Sequence, residues 1–393
     1  MRPRDLEARA APRISAREYY QAMTATATLD DLAAEATTDR TPRRIFRPHV
    51  ARERIETIAR LRDALGRPPL ALVASFSFKT NPRRELLELA RKHGFFAETI
   101  SRDELEWAKH EKFAPQETVY NGPEPLLDRR EGERLAYAFA DSVEAFERNL
   151  QRGVAHVHGV RLRPSMIASR FGVPVDDESS LLAAAQASPA GTPLAVSFHA
   201  RHEDFHGASW RDVAGDVLDR AVALERATGR RVVAFDVGGG WKPDEFDASF
   251  EPDMRWLAGR IAAALPSCTA LLFEPGQSLC TPTEALLTEV LEVRARGPRR
   301  DAVVDVGYSD WPEMNAYPHR IFVWRGGRWE PVGRGPDRLL GRTCLEYDVV
   351  EGLRFPADLA PGDRLLIADA GSYDHSMSFN FARGGGTHRT LTD

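Results

Sequence analysis

The segment ALVASFSFKTNP, residues 71–82, decides the fold of this chain. Its apolar run Ala71–Phe78 is short and ends at Lys79, followed soon by a proline, which is typical of a buried strand. The next residues, Arg83–His93, place apolar side chains at helical spacing. A buried strand followed directly by a helix is the repeating unit of a parallel sheet covered by helices. We therefore interpret residues 71–78 as the first strand of such a sheet.

The same alternation continues outward along the chain. Further apolar runs lie at Phe95–Ile100, Thr118–Tyr120, Ala136–Ala140, Gly159–Leu162, Leu194–Phe198, Val232–Val237 and Ala270–Phe273. Helix-like segments lie between them, among them Arg102–His110, Ser142–Arg152, Trp210–Thr228 and Met254–Leu265. Eight strands that alternate with helices over about 250 residues predict a TIM-type (β/α)8 barrel of the α/β class.

A different pattern begins after Pro282. Apolar runs separated by glycine and proline turns lie at Leu291–Val293, Ala302–Val306, Ile321–Trp324, Cys344–Val350 and Leu365–Ala368. This pattern predicts a C-terminal β-domain of antiparallel strands. We expect three parts: an N-terminal extension at residues 1–44 that packs on the β-domain, the barrel at residues 45–285 and the β-domain at residues 286–393.

Composition excludes several functional classes. The 393 residues carry a net charge of −5, so no basic face for a nucleic acid is expected. Met1–Arg13 has no apolar core and is not a signal peptide, and no apolar run has the length of a membrane span. Cys268, Cys280 and Cys344 are too few and too scattered for a disulfide framework or a metal site. A reducing, cytoplasmic setting and no metal are expected.

Polar residues or glycines follow every predicted barrel strand, and TIM-barrel active sites lie at these strand ends. The strand ends are Lys79–Asn81, Glu98 with Ser101, Asn121–Pro123, Asp141-Ser142, Arg163, His199, Gly238–Gly240 and Glu274–Gln277. A lone lysine at such an end more often extends its amine into water. Because burial lowers the pKa of a lysine and favours Schiff-base chemistry, and because the other ends converge on the same rim, we interpret Lys79 as an imine-forming residue.

Three other strand ends suit an aromatic phosphate cofactor. Gly238–Gly240 follow the seventh strand, where barrels often bind phosphate, and Gly276 adds a second glycine position. Glu274 could pair with an arginine, but a carboxylate is also the partner that a pyridinium nitrogen needs. His199 could be an ordinary core histidine, or its ring could pack against the cofactor.

Together these segments resemble the fold-type III pyridoxal-phosphate enzymes, above all the ornithine/diaminopimelate decarboxylase family, from about residue 46 to about residue 383. The similar motifs are Phe78–Pro82, Glu98–Ser101 with Glu104, Asp141-Ser142 with Glu144, Arg163 with Ser169–Gly172, Ser197–His199, Phe235–Gly240, Glu274–Gly276, Gly341–Cys344 with Asp348, Asp369–Tyr373 and Asn380-Phe381. The resemblance implies an alanine racemase-like fold, in which a pyridoxal-phosphate-binding barrel precedes a β-domain that contributes to an active site at a dimer interface.

The resemblance also implies roles for individual residues. Lys79, Glu274, His199 and Cys344 are the expected catalytic residues: Lys79 holds the cofactor as an imine, Glu274 keeps the ring nitrogen protonated, and Cys344 of the other subunit of a homodimer donates a proton after decarboxylation. The expected cofactor-binding residues are Lys79, Glu98, Arg163, His199, Gly238, Gly239, Gly240, Glu274, Gly276, Gln277 and Tyr373.

The sequence departs from the family pattern at two places. His202, after Arg201, and Gln277 stand where the family has a serine and an arginine, which changes the expected contacts of the phosphate. Pro318 and Leu345 stand where diamine-forming relatives have acidic residues for the distal ammonium of the substrate.

We therefore expect an amino-acid substrate, free or bound to a carrier protein, that is not plain ornithine or lysine. A larger substrate, or one with an anionic or apolar distal end, would suit a specialised biosynthetic pathway. The predicted substrate-binding residues are Tyr317, Arg342, Glu346 and Phe381. Glu346 would point away from the pocket if its segment were a strand.

Two other interpretations stay open. An amino-acid racemase on the same fold uses a lysine and a tyrosine as opposed bases, but the Cys344 motif and Glu274 argue against it. The chain could also be a non-catalytic homologue that binds a protein partner, which the departures at His202 and Gln277 favour. The combination of Lys79, Glu274 and Cys344 favours an enzyme.

Overall fold

The computed structural model describes residues 29–37, 40–66, 69–126, 131–201, 204–205, 207–317 and 319–381. These residues divide into two compact units. The barrel unit consists mainly of Ile55–Phe78 and Leu87–Ser278. The β-unit consists of the described parts of Ala27–Arg54, Lys79–Leu86 and Leu279–Asp393. The domain bounds expected from the sequence stay a prediction, and residues 1–28 of the expected extension lie outside the described part of the chain.

Strand β1 (Arg43–Phe46) belongs to the β-unit, and the next eight strands form a closed parallel barrel in chain order. They are β2 (Ala71–Ser77), β3 (Phe96–Thr99), β4 (Thr118–Tyr120), β5 (Leu135–Ala140), β6 (Ala155–Arg161), β7 (Leu194–Ser197), β8 (Val232–Asp236) and β9 (Ala270–Phe273). Pairing of β2 with β9, with Ala71 opposite Ala270, closes the barrel. Each of the eight predicted strands is present, so the predicted barrel is confirmed.

Local sequence explains where the helices begin and end. The helices are α1 (Pro48–Leu65), α2 (Arg84–Lys92), α3 (Arg102–His110), α4 (Val143–Arg152), α5 (Glu178–Ala187), α6 (Trp210–Thr228), α7 (Pro243–Ala264) and α8 (Gly276–Cys280). Ser101 and Ser142 cap the N-termini of α3 and α4 by accepting backbone N–H groups. Gly153 and Gly229, in the left-handed conformation that favours glycine, end α4 and α6.

The barrel interior is filled by apolar side chains, which leaves polar groups at the strand ends. Its core contains Val119, Phe139, Ala195, Ala234, Ala270 and Leu272. Gly159 on β6 admits the ring of Phe139, because a Cβ at residue 159 would lie 2.3 Å from the Cδ1 atom of that ring. The barrel is therefore a packed core that presents its strand ends, and not a pore.

The β-unit is a sheet built around one long strand. Its other strands are β10 (Glu284–Arg296), β11 (Arg299–Val304), β12 (Ile321–Arg325), β13 (Arg328–Pro331), β14 (Gly333–Leu340), β15 (Val349–Arg354) and β16 (Arg364–Ile367). The first part of β10 pairs with β1 and β16, and its second part pairs with β11. From edge to edge, the strand order is β13-β12-β16-β10-β11-β14-β15, and β1 pairs with β10 outside this order.

Two expectations for the β-unit need correction. The sheet is mixed and not purely antiparallel, because β11 and β14 pair in parallel. The predicted strand Cys344–Val350 is wrong over its first part, since β15 begins only at Val349. Before it, the Asp348 carboxylate accepts hydrogen bonds from the backbone N–H groups of Tyr308 and Thr343, which folds the preceding residues into a turn. Glu346 therefore lies exposed in a turn and not in a strand.

Among the described residues, no helix has both the length and the apolar character that crossing a membrane requires.

Candidate active site

Glu274, which directly follows β9, is a buried polar group at the mouth of the barrel. Its side chain is almost fully buried, at 3% exposure. Asn121, directly after β4, donates its side-chain N–H to Oε1 of Glu274 at 3.2 Å, and Nδ1 of His199 lies 3.9 Å from Oε2. The structure thus brings together two predicted site residues, Glu274 and His199. In the sequence, Asn121 is one of the polar residues that follow a barrel strand, but it is not among the predicted site residues.

The hydrogen bonds of His199 define its tautomer. The backbone N–H of Gly239 donates to Nδ1 of His199 at 3.1 Å. An Nδ1 atom that accepts a hydrogen bond carries no proton, so a neutral His199 carries its proton on Nε2. The side chain is 28% exposed, so part of the ring stays open to a bound molecule.

Gly238–Gly240 form a loop that only glycines can adopt. Gly238 and Gly240 have φ values of +65° and +98°. A Cβ at Gly239 would lie 2.3 Å from the backbone oxygen of Glu274, which is far too close. The N–H of Gly238 donates to the buried Asp236 carboxylate at 2.9 Å. The loop therefore brings main-chain groups close to the end of β9, as a phosphate site after the last strands of a barrel requires.

Glu98 and Arg163 both belong to the barrel unit. Glu98 is fully buried on β3 and accepts a hydrogen bond from the Ser77 hydroxyl at 2.5 Å. Arg163 donates from Nη1 to the backbone oxygen of Ser169 at 2.8 Å, so it holds the loop that follows β6. A cavity of about 790 Å³ lies there, lined by Arg163 and residues 165–170.

Lys79 directly follows Phe78 in the chain and is counted in the β-unit. Its backbone oxygen accepts a hydrogen bond from the Ser376 hydroxyl at 2.7 Å. The backbone N–H of Tyr373 donates to the oxygen of Thr80 at 2.8 Å. The predicted lysine and tyrosine segments therefore lie side by side, and Tyr373 has an uncommon left-handed conformation, with φ of +62°.

A buried charge cluster in the β-unit was missed by the sequence reasoning. Glu284, the first residue of β10, is fully buried and contacts Asn81, Arg83 and Arg44. Burial alone would raise the pKa of this carboxyl, but a hydrogen bond with His375 and the charges of Arg44 and Arg83 lower it to about 2. Sequence pattern alone does not predict this cluster, because Arg44, Arg83 and Glu284 are far apart in the chain.

Cys344 and the predicted substrate-binding residues differ in how far they are buried. Cys344, Glu346 and Phe381 are exposed. The Arg342 guanidinium lies 3.5 Å from the Asp310 carboxylate. The Tyr317 hydroxyl donates to the backbone oxygen of Ser372 at 2.7 Å, and burial, with the Asp374 charge, holds the pKa of this tyrosine well above its usual value.

The remaining predicted cofactor-binding residues and the departures from the family pattern lie as follows. Gly276 and Gln277 form the first turn of α8. Arg201, next to the departure at His202, donates two hydrogen bonds to Asp204. His202 and Pro318 lie outside the described residues.

No protein-family model matches this chain. It is 33% identical over 190 residues to the diaminopimelate decarboxylase of Actinosynnema pretiosum subsp. auranticum, covering 44% of this chain and 42% of that protein. It is 25% identical over 336 residues to the lysine/ornithine decarboxylase of Selenomonas ruminantium, covering 78% of this chain and 80% of that protein.

Solved structures share the fold. A lysine decarboxylase from Selenomonas ruminantium matches with a TM-score of 0.72 and 19% identity, over 92% of this chain and 95% of that chain. The Paramecium bursaria Chlorella virus arginine decarboxylase bound to agmatine matches with a TM-score of 0.72 and 17% identity, over 91% of this chain and 97% of that chain.

A closed parallel barrel together with a separate mixed β-sheet, and with polar groups at the strand ends, defines a class: the fold of the fold-type III decarboxylases. The relatives that match this chain in sequence are diaminopimelate decarboxylases and a lysine/ornithine decarboxylase. The chain is thus similar in sequence and in fold to pyridoxal-phosphate-dependent decarboxylases.

Proposed function

We propose that this protein is a pyridoxal-phosphate-dependent carboxy-lyase that removes the α-carboxylate of an amino acid or an amino-acid-derived substrate. The observation that carries the proposal is Glu274, whose carboxylate is buried at the end of β9 beside Asn121 and His199. A buried carboxylate is costly unless donors or a cation face it. A protonated pyridine nitrogen supplies both, so this position suits the ring of the cofactor.

The chemistry of the other predicted cofactor-binding groups fits pyridoxal phosphate. The Gly238–Gly240 backbone provides space that a Cβ would fill, as the phosphate requires. The open part of the His199 ring provides a flat surface, and Lys79 provides a primary amine. When bound, pyridoxal phosphate supplies an electron-withdrawing ring that accepts the electron pair left by the departing carboxylate.

The residues of this chain have separate tasks in the proposal. Glu274 holds a proton on the ring nitrogen, and Asn121 orients the Glu274 carboxylate by donating to Oε1. His199 is kept in one tautomer by the Gly239 N–H, which places the proton of the neutral ring on Nε2. Cys344, exposed in the single chain, donates a proton to the substrate carbon in the active site of the partner subunit.

The substrate in this proposal has no distal ammonium group. Leu345, at the position where diamine-forming relatives have an acidic residue, has no group that pairs with a cation. Arg342 is the cationic group of residues 341–348, and it is partly exposed beside Asp310. An anionic or apolar distal end fits these residues better than the ammonium of ornithine or lysine.

The first test is the visible spectrum of the purified protein with added pyridoxal phosphate, followed by borohydride reduction and peptide mass analysis. We expect a yellow band and a reduced cofactor on the Lys79 peptide, and neither in Lys79→Arg. Lys92→Arg, on the exposed end of α2, is the matched control and should behave as the unaltered protein. A colourless protein with unmodified Lys79 would favour the non-catalytic homologue that binds a partner.

The second test is a substrate panel. Carbon dioxide release is measured with ornithine, lysine, arginine, diaminopimelate and amino acids with apolar distal ends, while loss of optical rotation is followed in parallel. Release of carbon dioxide supports a decarboxylase, and loss of rotation without release supports a racemase. Turnover of ornithine or lysine with ordinary efficiency would contradict the proposed substrate class.

A further inference from the structure

We infer that Glu284 is a positioning residue for Lys79: it fixes the backbone of Lys79–Arg83 through Asn81 and Arg83. The inference rests on the proposed function, in which the Lys79 amine reacts with the cofactor. It adds a residue that lies outside the groups expected to touch the cofactor.

The contacts converge on one carboxylate oxygen. Oε1 of Glu284 accepts from the Asn81 side-chain N–H at 3.0 Å and from Nε of Arg83 at 2.7 Å. Asn81 also donates to the oxygen of Gly371 at 2.8 Å, and its own oxygen accepts the backbone N–H of Arg83 at 3.0 Å. The side chain of Asn81 is therefore fixed in one orientation, with no exposure to solvent.

The opposite side of the carboxylate is held by a second arginine. Oε2 of Glu284 lies 3.3 Å from Nη1 of Arg44, whose side chain is 3% exposed. Arg44 in turn donates to the backbone oxygens of Ala370 at 2.7 Å and of Asp310 at 2.8 Å. Three other titratable side chains face the cluster. His375 lies 3.6 Å from Oε1, and Glu85 lies 3.7 Å from Nη1 of Arg83. Burial and the Glu284 charge raise the pKa of the third, the Cys280 thiol.

These contacts bear on the position of the Lys79 amine. The backbone oxygens of Lys79 and Thr80 accept hydrogen bonds from Ser376 and Tyr373. With Asn81 and Arg83 attached to Glu284, the segment is tied at both ends. A lysine side chain has many rotamers, so a fixed backbone limits the positions that its amine can reach, and small displacements of a reacting group lower rates steeply.

Glu284→Gln and Asn81→Ala test the inference in the full chain. Glu284→Gln removes the charge of the cluster. Asn81→Ala removes the hydrogen bond between Asn81 and Glu284 and keeps the Arg44–Glu284–Arg83 ion pairs, so the test does not depend on a variant that could misfold. Asp337→Asn is the matched control: Asp337 is 3% exposed in the same unit and pairs with Arg300 on β11. Glu284→Asp is the conservative variant.

The primary readout is the rate at which pyridoxal phosphate becomes fixed to Lys79, measured by borohydride quenching and peptide mass analysis. We expect this rate to fall by about 10- to 100-fold in Glu284→Gln and Asn81→Ala, with partial recovery in Glu284→Asp. Asp337→Asn should keep the normal rate, even if its melting temperature falls. Equal rates in Glu284→Gln, Asn81→Ala and the unaltered protein, or an equal fall in Asp337→Asn, would overturn the inference.

A second readout does not need the cofactor. Hydrogen exchange of the peptide spanning residues 79–86 should be faster in Glu284→Gln and Asn81→Ala than in the unaltered protein, and unchanged in Asp337→Asn. If the cofactor does not label Lys79 in the unaltered protein, the proposed function fails. Hydrogen exchange then decides by itself whether Glu284 holds residues 79–86 in place. Unchanged exchange in both test variants would then show that Glu284 does not hold the segment.

Discussion

At the scale of single residues, the charge of Glu274 has the clearest consequence for activity. Glu274→Gln keeps the size of the side chain and an oxygen that can accept from Asn121, but it removes the charge that would hold a proton on the ring nitrogen. We expect carbon dioxide release to fall by roughly 100-fold or more. The measurement is the release rate from carboxyl-labelled substrate at saturating pyridoxal phosphate.

The Glu274 prediction has a spectroscopic control. The variant should still show the absorbance of the bound cofactor, because the Lys79 amine and the glycine loop are unchanged. Asp337→Asn, remote in sequence from the barrel strands, should retain normal release. A normal rate in Glu274→Gln would exclude Glu274 from the role proposed for it.

The three cysteines should differ sharply in reactivity. Burial raises the pKa of the Cys268 thiol to about 12 and that of Cys280 well above its usual value, whereas Cys344 is exposed. Because the thiolate is the reactive form, iodoacetamide should modify Cys344 in the folded protein and the other two only after unfolding. Mass mapping of the alkylated peptides checks this, and early labelling of Cys268 would contradict it.

Some residues of the candidate site could be predicted from the sequence and others could not. Glu274 and His199 were accessible because each directly follows an apolar strand, and strand ends meet in a barrel. Glu284 begins a strand and its partners Arg44 and Arg83 are remote in sequence, so only the folded chain reveals their pairing. Local pattern identifies positions on an element, whereas long-range pairing depends on the fold.

At the scale of elements, a single substitution tests the role of the glycine loop after β8. A Cβ in Gly239→Ala would lie 2.3 Å from the backbone oxygen of Glu274, so the loop must move away from β9. We expect the dissociation constant of pyridoxal phosphate to rise by about tenfold or more, equivalent to about 1.4 kcal/mol. Titration of the cofactor absorbance measures it.

Gly259→Ala is the matched control for the loop. Gly259 lies inside α7 with open space where its Cβ would be. Alanine there should leave cofactor affinity unchanged and leave the free energy of unfolding unchanged or raise it by up to about 1 kcal/mol. An equal loss of affinity in both variants would point to a general effect of the added methyl groups.

The start of β10 should make the protein sensitive to acid. The pKa of Glu284 is about 2 in the folded chain against 4.5 ordinarily, so the unfolded chain binds this proton more tightly. The stability that this charge contributes is therefore fully present above about pH 4.5 and lost as the pH falls through about 2. Urea unfolding between about pH 6 and pH 3 should show a weaker pH dependence for Glu284→Gln. Identical slopes would contradict the assignment.

Prediction of whole elements succeeded where burial dominates. The barrel strands are buried apolar runs, and each appears in the structure close to its predicted bounds. The turn at Cys344–Asp348 was missed because one carboxylate, Asp348, reorganises the chain through hydrogen bonds that apolar pattern does not show. The parallel pairing of β11 with β14 was missed because a separate hairpin, β12 and β13, lies between them in the chain.

At the scale of the whole molecule, the proposal requires two chains for one active site. Lys79 and Cys344 both belong to the β-unit of the chain, and Cys344 is exposed. If each active site combines Lys79 of one chain with Cys344 of the other, then Lys79→Ala and Cys344→Ala homodimers are both impaired at every site. A mixed dimer, however, contains one site with both native residues.

Mixing the two variants under conditions that exchange subunits should therefore restore activity. Random exchange makes half of the dimers mixed, and each mixed dimer has one intact site of two, so activity should approach roughly a quarter of the unaltered value. Carbon dioxide release after mixing is the measurement, and a chain carrying both substitutions, mixed with the Lys79→Ala variant, is the control that should stay inactive. Absence of recovery despite proven exchange would show that Lys79 and Cys344 do not act across the two chains, because sites built within one chain gain nothing from exchange.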